Sequence, residues 1–262
     1  MKAAPPAMRN PFIAGNWKMH KTNGEAVALA RSLVSALAGM NLKVMIAPAF
    51  TALSSVAEVL RGTSILLGAQ NMGPQEMGAH TGEVSVLMLK EVGVSVVILG
   101  HSERRHLYGE ADALINRKVR LALKHGLEAI LCVGETLEQR ESGVTKRIVE
   151  EQLKQGLAGV AAQEMKRLVI AYEPVWAIGS GKTATPRDAD EVHAFIRTIV
   201  SELYSPSCAQ ELIIQYGGSV KAENAAELMR MNNIDGLLVG GASLSADSFS
   251  RIVKYESRVY GE

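Results

Sequence analysis

Eight short apolar runs of strand length recur along this chain, and longer segments with helical periodicity separate them. The runs cover residues 12–15, 44–47, 64–68, 94–99, 129–133, 168–172, 212–215 and 236–239. The helical segments include residues 25–37, 111–124, 146–157, 186–203, 222–231 and 247–255. Strands that alternate with helices form parallel sheets, and eight such units in 262 residues without a linker predict a single-domain (β/α)8 barrel.

An open, doubly wound sheet is the alternative architecture. Such a sheet is expected to carry a glycine-rich fingerprint after its first strand, and the sequence there, GNWK at 15–18, is not one. The barrel is expected to occupy residues 8–262, and residues 1–7 are expected to form a disordered lead. Within the barrel, Thr185 and Pro186 suit the cap and the first turn of a helix.

The composition argues against several classes of function. Charged residues make up 21% of the chain and its net charge is +1, so it lacks the charge pattern typical of nucleic-acid or membrane partners. No apolar run reaches the ~18 residues of a spanning helix, and the first residues lack the apolar core of a secretory signal. The two cysteines, Cys132 and Cys208, form neither a disulfide framework nor a zinc set, so a cytoplasmic location is expected.

The stretch AYEPVWAIGSGKT, residues 171–183, joins a carboxylate at a strand end to an apolar loop. Glu173 directly follows a run of strand length, and residues 175–178 are apolar where water is the usual neighbour of a loop. Gly179 then supplies a permissive backbone. This pattern is typical of a lid that buries its tip on closing. The alternative is an ordinary connection whose Trp176 packs against the barrel.

Glycine-rich turns follow the last two predicted strands and indicate an anion site. They read YGGS at 216–219 and GGAS at 240–243, and paired glycines let backbone N–H groups converge on an anion. Phosphate sites after strands seven and eight recur in (β/α)8 barrels, although two unrelated tight turns are the alternative. A third turn, GKT at 181–183, resembles the tail of a P-loop, but Trp176 stands where that motif needs glycine.

Polar side chains follow the first and fourth predicted strands. Asn16 and Lys18 are two residues apart, so an extended chain turns both toward the same side. Lys18 is placed to balance an anionic substrate, and a solvated surface lysine is the alternative. His101 begins a predicted helical turn whose amide dipoles disfavour the charged ring. A structural or metal-bound histidine is its alternative, although the six histidines show no metal-ligand spacing.

Other charged and sulfur side chains are interpreted as structural. Cys132 suits a small buried hydrophobe better than a nucleophile. Glu135 and Arg140 are placed to pair across a turn, and the charged run 103–105 is interpreted as part of a salt-bridge network.

The connection from Gln70 to Val84 has about 15 residues, whereas a strand-to-helix loop usually has about 2–6. It contains Met72 and Met77, which favour docking onto another surface such as a second subunit. A floppy surface loop is the alternative.

Five motifs together closely resemble the triosephosphate isomerase family. They are GNWK at 15–18, GHSERR at 100–105, AYEPVWAIGSGKT at 171–183, YGGSV at 216–220 and LVGGASL at 238–244. They follow the family order, and the resemblance runs from about Met8 to Tyr255. It implies interconversion of dihydroxyacetone phosphate and D-glyceraldehyde 3-phosphate through an enediolate, in glycolysis and gluconeogenesis, with no cofactor and no metal.

The resemblance also implies roles for single residues. Glu173 matches the base that moves a proton between C1 and C2, and His101 matches the neutral electrophile that polarises the carbonyl. Lys18 matches the cation that faces the developing oxyanion, with Asn16 beside it. The implied phosphate cradle consists of Gly179, Ser219, Gly240 and Gly241. The supporting residues around the base and the lid are Ser102, Glu103, Trp176, Ile178, Tyr216 and Leu238.

Among these supporting residues, the resemblance gives Tyr216 the part of a latch for the closed lid. Ile178 and Leu238 are implied to form an apolar clamp over Glu173. A closed lid would protect the enediolate, which loses phosphate when it is exposed to water.

The resemblance further implies a homodimer that forms through the loop from Gln70 to Val84, with Thr81 reaching toward the active site of the neighbouring subunit. Two residues depart from the family pattern. His80 stands where an aromatic residue is frequent, and Ser180 stands where threonine is common in the lid.

Two rival functions remain at this point. Another phosphate-binding barrel enzyme, such as an epimerase or a phosphosugar lyase, would share the two glycine turns but would not be expected to combine Glu173 with this lid and His101. A non-catalytic relative would be expected to have lost one reacting residue, and Lys18, His101 and Glu173 are all present.

Overall fold

The structure, a computed structural model, describes residues 9–178 and 184–255 and shows eight parallel strands closed into a barrel in chain order. The strands are β1 Phe12–Asn16, β2 Lys43–Ala47, β3 Ile65–Ala69, β4 Val96–Leu99, β5 Glu128–Val133, β6 Leu168–Tyr172, β7 Ile213–Tyr216 and β8 Gly236–Val239. The ring closes where β1 pairs with β8 as well as with β2. The predicted (β/α)8 barrel is confirmed. The predicted lead, residues 1–7, lies outside the described residues.

Helices cover the outside of the barrel. They are α1 Asn23–Ala36, α2 Leu53–Leu60, α3 Val86–Glu91, α4 Ser102–His106, α5 Asp112–Lys124, α6 Leu137–Glu141, α7 Thr145–Gly156, α8 Pro186–Leu203, α9 Pro206–Glu211, α10 Ala225–Met229 and α11 Ala246–Val253. Short 3-10 turns occupy Phe50–Ala52, Ala162–Arg167, Val175–Ala177 and Gly241–Leu244. No helix within the described ranges is both long and apolar enough to cross a membrane.

The observed boundaries differ from the predicted ones for local reasons. β4 begins two residues late because the amide of Val94 still bonds to the carbonyl of Leu89, at the end of α3. α10 is shorter than predicted because the Lys221 amide donates to Oδ1 of Asn224, which makes a turn first. α8 begins as predicted, with Thr185 as its cap. The helical turn predicted at His101 is α4, whereas the short helices α2, α3, α6 and α9 were absent from the predicted segments.

Alternation along the strands separates two apolar layers. The barrel interior contains Phe12, Ala14, Met45, Ala47, Val96, Ile98, Ile130, Cys132, Val169, Ala171 and Leu238. The outward-facing strand residues pack against the helices in a second, larger cluster. Cys132 is fully buried in the interior layer, and this burial raises the pKa of its thiol, which agrees with its interpretation as a hydrophobe.

The same alternation carries two polar side chains to the mouth of the barrel. Asn16 continues the inward series of β1, and Glu173 continues that of β6, beyond Ala171. The amide of Glu173 still donates to the carbonyl of Val133 at 2.8 Å, so its backbone remains tied to β5. Gly134 lies against it so closely that a Cβ there would be 1.8 Å from the Glu173 carbonyl oxygen. Only glycine leaves Glu173 in this position.

The opposite end of the barrel contains a buried ion-pair cluster around Asp235, just before β8. Oδ1 of Asp235 accepts from Nε of Arg9 at 2.5 Å, and Oδ2 accepts from Nη2 of Arg197 and from the amide of Ile214. Arg197 also donates to the carbonyl of Leu212 at 2.9 Å. The cluster ties the segment before β1 to α8 and β7.

Candidate active site

A cavity of about 320 Å³ opens at the carboxyl end of the barrel. It brings together nine residues predicted to be functional, namely Asn16, Lys18, His101, Glu173, Ile178, Ser219, Leu238, Gly240 and Gly241. Gly217, Gly218 and Ala242, which lie in the two predicted glycine turns, also line it, and Val220 and Lys221 complete the lining without having been predicted as site residues. Gly179 and Ser180 lie outside the described residues. The cavity therefore joins residues from β1, β4, β6, β7 and β8.

Lys18 is held in an uncommon backbone conformation, with φ at 51°. Its amide donates to Oδ1 of Asn16 at 3.0 Å, and its carbonyl accepts from Nε2 of Gln70 at 2.8 Å. The ammonium lies 2.6 Å from Oε1 of Glu103. Gly240 makes room for the stem, since a Cβ there would be 3.3 Å from Cε of Lys18. Asn16 and Gln70 thus fix the backbone, and Glu103 fixes the charge.

Glu173 is buried, and both oxygens of its carboxylate have partners. Oε1 lies 2.9 Å from Nε2 of His101, and Oε2 accepts from the amide of Ser102 at 2.9 Å. Burial opposes ionisation, but His101, the Ser102 amide and Lys18 together favour the charged form and lower the pKa of Glu173. The side chain is an ionised carboxylate that is withdrawn from water.

His101 receives opposing influences. Burial lowers the pKa of its ring, while the carboxylate of Glu173 raises it, and the balance in this arrangement is upward. The amide of Glu103, however, donates to Nδ1 of His101 at 3.2 Å, which requires an unprotonated Nδ1. The donor of this contact is a backbone amide at the start of α4 and not the side chain of Glu173. It favours the ring with its single proton on Nε2, and the neutral state stays a prediction.

Comparison with known proteins shows which family the chain belongs to. The model of the family described as triosephosphate isomerase matches residues 11–256. The chain belongs to the triosephosphate isomerase family. Its relatives include the proteins named triosephosphate isomerase from Treponema denticola, 57% identical over 95% of this chain and 99% of the relative, and from Treponema pallidum (strain Nichols), 58% identical over 94% and 99%. A third, from Carboxydothermus hydrogenoformans, is 56% identical over 94% and 99%.

Membership of the triosephosphate isomerase family makes the chain an isomerase. Among the residues that the structure describes, no group of three or more His, Cys, Asp and Glu side chains is placed to hold a metal ion.

A buried carboxylate, Glu135, anchors the chain that follows the candidate base. It accepts from the hydroxyl of Tyr172 at 3.0 Å and from Nε1 of Trp176 at 2.9 Å, and its carbonyl accepts from the amide of Val175. Arg140 lies 3.6 Å from the carboxylate and 4.6 Å from the Trp176 ring centre. The predicted pairing of Glu135 with Arg140 is confirmed. The partnership with Tyr172 was missed, because the two residues are far apart in the sequence.

Two glycines after β7 each lie close to one large side chain, Gly218 to that of Tyr216 and Gly217 to that of Glu173. A Cβ at Gly218 would lie 2.2 Å from the hydroxyl of Tyr216, and one at Gly217 would lie 2.9 Å from Cγ of Glu173. Tyr216 is fully buried, and burial raises its pKa to about 12, so its hydroxyl keeps its proton. The latch role predicted for Tyr216 involves a lid whose tip, residues 179–183, lies outside the described residues.

The charged run 103–105 forms three separate contacts rather than one network. Glu103 pairs with Lys18 at 2.6 Å, and Arg104 pairs with Glu110 at 2.6 Å. Arg105 pairs with Asp112 at 2.6 Å and also donates to the carbonyl of Cys132. The salt bridges were predicted correctly, but each has a different partner. Only the first of them reaches the cavity.

The long connection from Gln70 to Val84 adopts a defined course. Met72 is fully buried, whereas Met77 is 75% exposed. Glu76 contacts Lys124 and His125 at 2.8 Å each, and hydrogen bonds from these two residues hold its pKa at about 2. The connection is therefore anchored to α5 at Glu76, while Met77 projects outward.

Proposed function

We propose that the chain interconverts dihydroxyacetone phosphate and D-glyceraldehyde 3-phosphate in this cavity. The observation that carries the proposal is the meeting of a buried carboxylate, an imidazole and an ammonium beside two glycine-rich turns. The carboxylate is Glu173, the imidazole is His101 and the ammonium is Lys18. Family membership supplies the reaction, and the cavity supplies groups suited to each of its steps.

Glu173 would act as the base that takes a proton from one carbon and returns it to the neighbouring carbon. Its carboxylate is bound by His101 and Ser102 in the absence of substrate, so it must leave both partners to reach a carbon atom. A carboxylate released into a cavity without water would be more basic than one in solution, because desolvation destabilises its charge. Substrate binding would supply both the displacement and the exclusion of water.

His101 and Lys18 would serve the oxygen atoms of the substrate. With Nδ1 occupied by the Glu103 amide, His101 presents Nε2–H, which can donate to the carbonyl oxygen and then shuttle a proton between O1 and O2. Lys18 would stabilise the negative charge that develops on the enediolate, with Asn16 holding its backbone in place. These donors are fixed before substrate arrives, which reduces the reorganisation that the transition state requires.

The two glycine turns would hold the phosphate. A Cβ at Gly241 would meet no atom within 4 Å, so the backbone there is open to a ligand, and Ser219 and Gly240 line the same cavity. We assign Gly179 to this cradle from the family pattern alone. Phosphate held at this end would place the carbon chain against Glu173.

The apolar side chains at the rim would keep water from the intermediate. Ile178 and Leu238 line the cavity beside Glu173, and Trp176 is tied to Glu135 at the base of the predicted lid. Closure with Tyr216 as latch would protect the enediolate until the second proton transfer is complete.

We also propose a homodimer formed through the loop from Gln70 to Val84. Met77 is 75% exposed, and Met19 and Met88 are 92% and 54% exposed. Exposed large apolar side chains at one end of a barrel are typical of an interface. Thr81 would reach toward the active site of the partner subunit, and His80 would lie in the interface. A cytoplasmic location and a role in glycolysis and gluconeogenesis complete the proposal.

The decisive experiment measures turnover of D-glyceraldehyde 3-phosphate by the purified chain in the presence of EDTA. We expect rapid conversion to dihydroxyacetone phosphate without added cofactor. A folded protein that produced no dihydroxyacetone phosphate would favour the non-catalytic relative, and release of inorganic phosphate as the main product would favour a lyase. Light scattering on the same sample would report the dimer, and a monomer with full turnover would contradict the proposed interface alone.

A further inference from the structure

Lys221 lies at the rim of the active-site cavity, just beyond the YGGSV turn. Its amide donates to Oδ1 of Asn224 at 2.8 Å, and Nδ2 of Asn224 donates to the carbonyl of Ser219 at 3.1 Å. Asn224 therefore fixes Ser219 and Lys221 relative to each other. The position of the lysine follows from the same turn that forms one side of the cavity.

The other charges near the cavity have partners. The ammonium of Lys18 is 2.6 Å from Glu103, and the carboxylate of Glu173 contacts His101. Glu223, two residues after Lys221, is bound to Arg251 at 3.0 Å. Among the described residues that line the cavity, Lys221 is the one cation for which the structure shows no ion pair.

This distribution matters for a substrate that carries a phosphate dianion. Lys18 and Glu103 cancel each other, which leaves the negative charge of Glu173 facing the incoming ligand. Two like charges in one cavity repel, and the repulsion is greatest at low ionic strength. Lys221 is exposed at the opening beside Ser219, where an unpaired cation offsets this repulsion.

We propose that Lys221 is a substrate-binding residue, which attracts the phosphate to the cradle formed by Ser219 and the 240–241 turn. It acts on the capture of substrate and not on proton transfer, because Lys221 is exposed whereas Glu173 and His101 are buried. The proposal rests on the function proposed above for the same cavity.

The test compares three variants with the unaltered protein. Lys221→Gln removes the charge, Lys221→Arg keeps it, and Lys166→Gln removes an exposed lysine from the turn Ala162–Arg167, ahead of β6 at the opposite end of the barrel. Steady-state turnover gives kcat and KM for D-glyceraldehyde 3-phosphate, and calorimetry gives the Kd of inorganic phosphate. Each measurement is made at about 0.02 M and about 0.5 M ionic strength.

For Lys221→Gln at low ionic strength, we expect KM and the phosphate Kd to rise about threefold to tenfold, with kcat within about twofold of the original. At high ionic strength the difference should fall below about twofold, because exposed charges are then screened. Lys221→Arg should restore both values, and Lys166→Gln should behave like the unaltered protein although it has the same net charge as Lys221→Gln.

Two results would overturn the proposal. One is an unchanged KM and phosphate Kd for Lys221→Gln at low ionic strength, in a protein that turns over normally. The other is an equal effect of Lys166→Gln, which would assign the change to net charge and not to the rim. Absence of turnover in the unaltered protein would instead reject the proposed function, and the phosphate Kd would still test Lys221.

Discussion

Two buried carboxylates, Glu173 and Asp235, stand at opposite ends of the barrel and differ in what surrounds them. Asp235 lies before β8 and is held by Arg9, Arg197 and the Ile214 amide. Glu173 lies after β6, with one imidazole and one amide on its oxygens and an open cavity beside it. Asp235 is enclosed by guanidinium groups, whereas Glu173 has partners that a substrate can replace. The difference separates a carboxylate that stabilises the barrel from one that can act on a ligand.

The sharpest test of this contrast is Glu173→Gln. The amide keeps the shape of the side chain but cannot accept a proton from carbon, so kcat should fall by about 10²- to 10⁴-fold while the protein stays folded. Circular dichroism and binding of inorganic phosphate would confirm an intact site. Glu141→Gln, an exposed change at the end of α6, is the matched control and should retain full turnover.

Asp235→Ala should show the opposite behaviour. Removing this carboxylate leaves the buried charge of Arg197 without its partner, which should lower the free energy of unfolding by about 3–5 kcal/mol. The kcat of the folded fraction should stay near its original value. Urea unfolding at fixed protein concentration measures the loss, with Glu223→Ala as an exposed control expected to change stability by less than about 0.5 kcal/mol. A stable Asp235→Ala protein with a lowered kcat would show that Asp235 serves catalysis and not stability, and would contradict the contrast with Glu173.

His193, on α8, should make the Asp235 end of the molecule sensitive to acid. Its ring is fully buried, and this burial lowers its pKa to about 3, against the ordinary value near 6.5. Below about pH 6.5 the unfolded chain binds a proton at this residue that the folded chain does not bind. Stability should therefore fall by roughly 1.4 kcal/mol for each pH unit between about pH 6 and pH 3 from this group alone.

Unfolding free energies measured from pH 7 to pH 4 would test this dependence. His193→Gln removes the titrating group and should flatten the decline, while His20→Gln, at an exposed position, should leave it unchanged. Identical slopes in all three proteins would show that His193 contributes nothing to acid sensitivity.

Tyr172→Phe should have the smallest effect of these changes, and it should lower both the stability of the protein and its catalytic efficiency. It removes one hydrogen bond to Glu135, and Trp176 and Arg140 remain in place, so the loss of stability should be about 1 kcal/mol. Because Glu135 anchors the chain after Glu173, kcat/KM should also fall, by on the order of twofold to fivefold.

The matched control for this change is Tyr204→Phe. It removes a hydroxyl that contacts the carbonyls of Leu157 and Val160, away from the cavity. Equal loss of kcat/KM in both variants would mean that the hydrogen bond from Tyr172 to Glu135 does not affect Glu173 in particular.

Much of the fold follows from local pattern. Apolar runs of strand length, separated by helical segments, are sufficient to predict eight strands, and seven of the eight begin at the predicted residue or one residue from it. The errors arise where a neighbouring turn takes the backbone amides, as at Val94 and Asn224. The helices α2, α3, α6 and α9 have only five to eight residues, and they were missed because so few turns show no visible periodicity.

Most residues that line the cavity were predictable from the sequence, but their contacts were not. Strand ends and alternation place Asn16 and Glu173 at the mouth, and the resemblance implies roles for Lys18 and His101 near them. Spacing cannot show that Gln70 holds the Lys18 carbonyl or that Gly134 leaves room for Glu173, because these contacts join distant parts of the chain. Such contacts depend on how the barrel closes.

The resting contacts of Glu173 with His101 and Ser102 have a consequence for kinetic titrations. The pH dependence of kcat/KM reports groups in the free protein, where Glu173 and His101 are in contact, and that of kcat reports the complex, where the proposed mechanism separates them. The midpoints of the two profiles should therefore disagree. Each pH unit of disagreement corresponds to about 1.4 kcal/mol, so the pair of profiles measures how much more strongly substrate binds one protonation state of the site than the other.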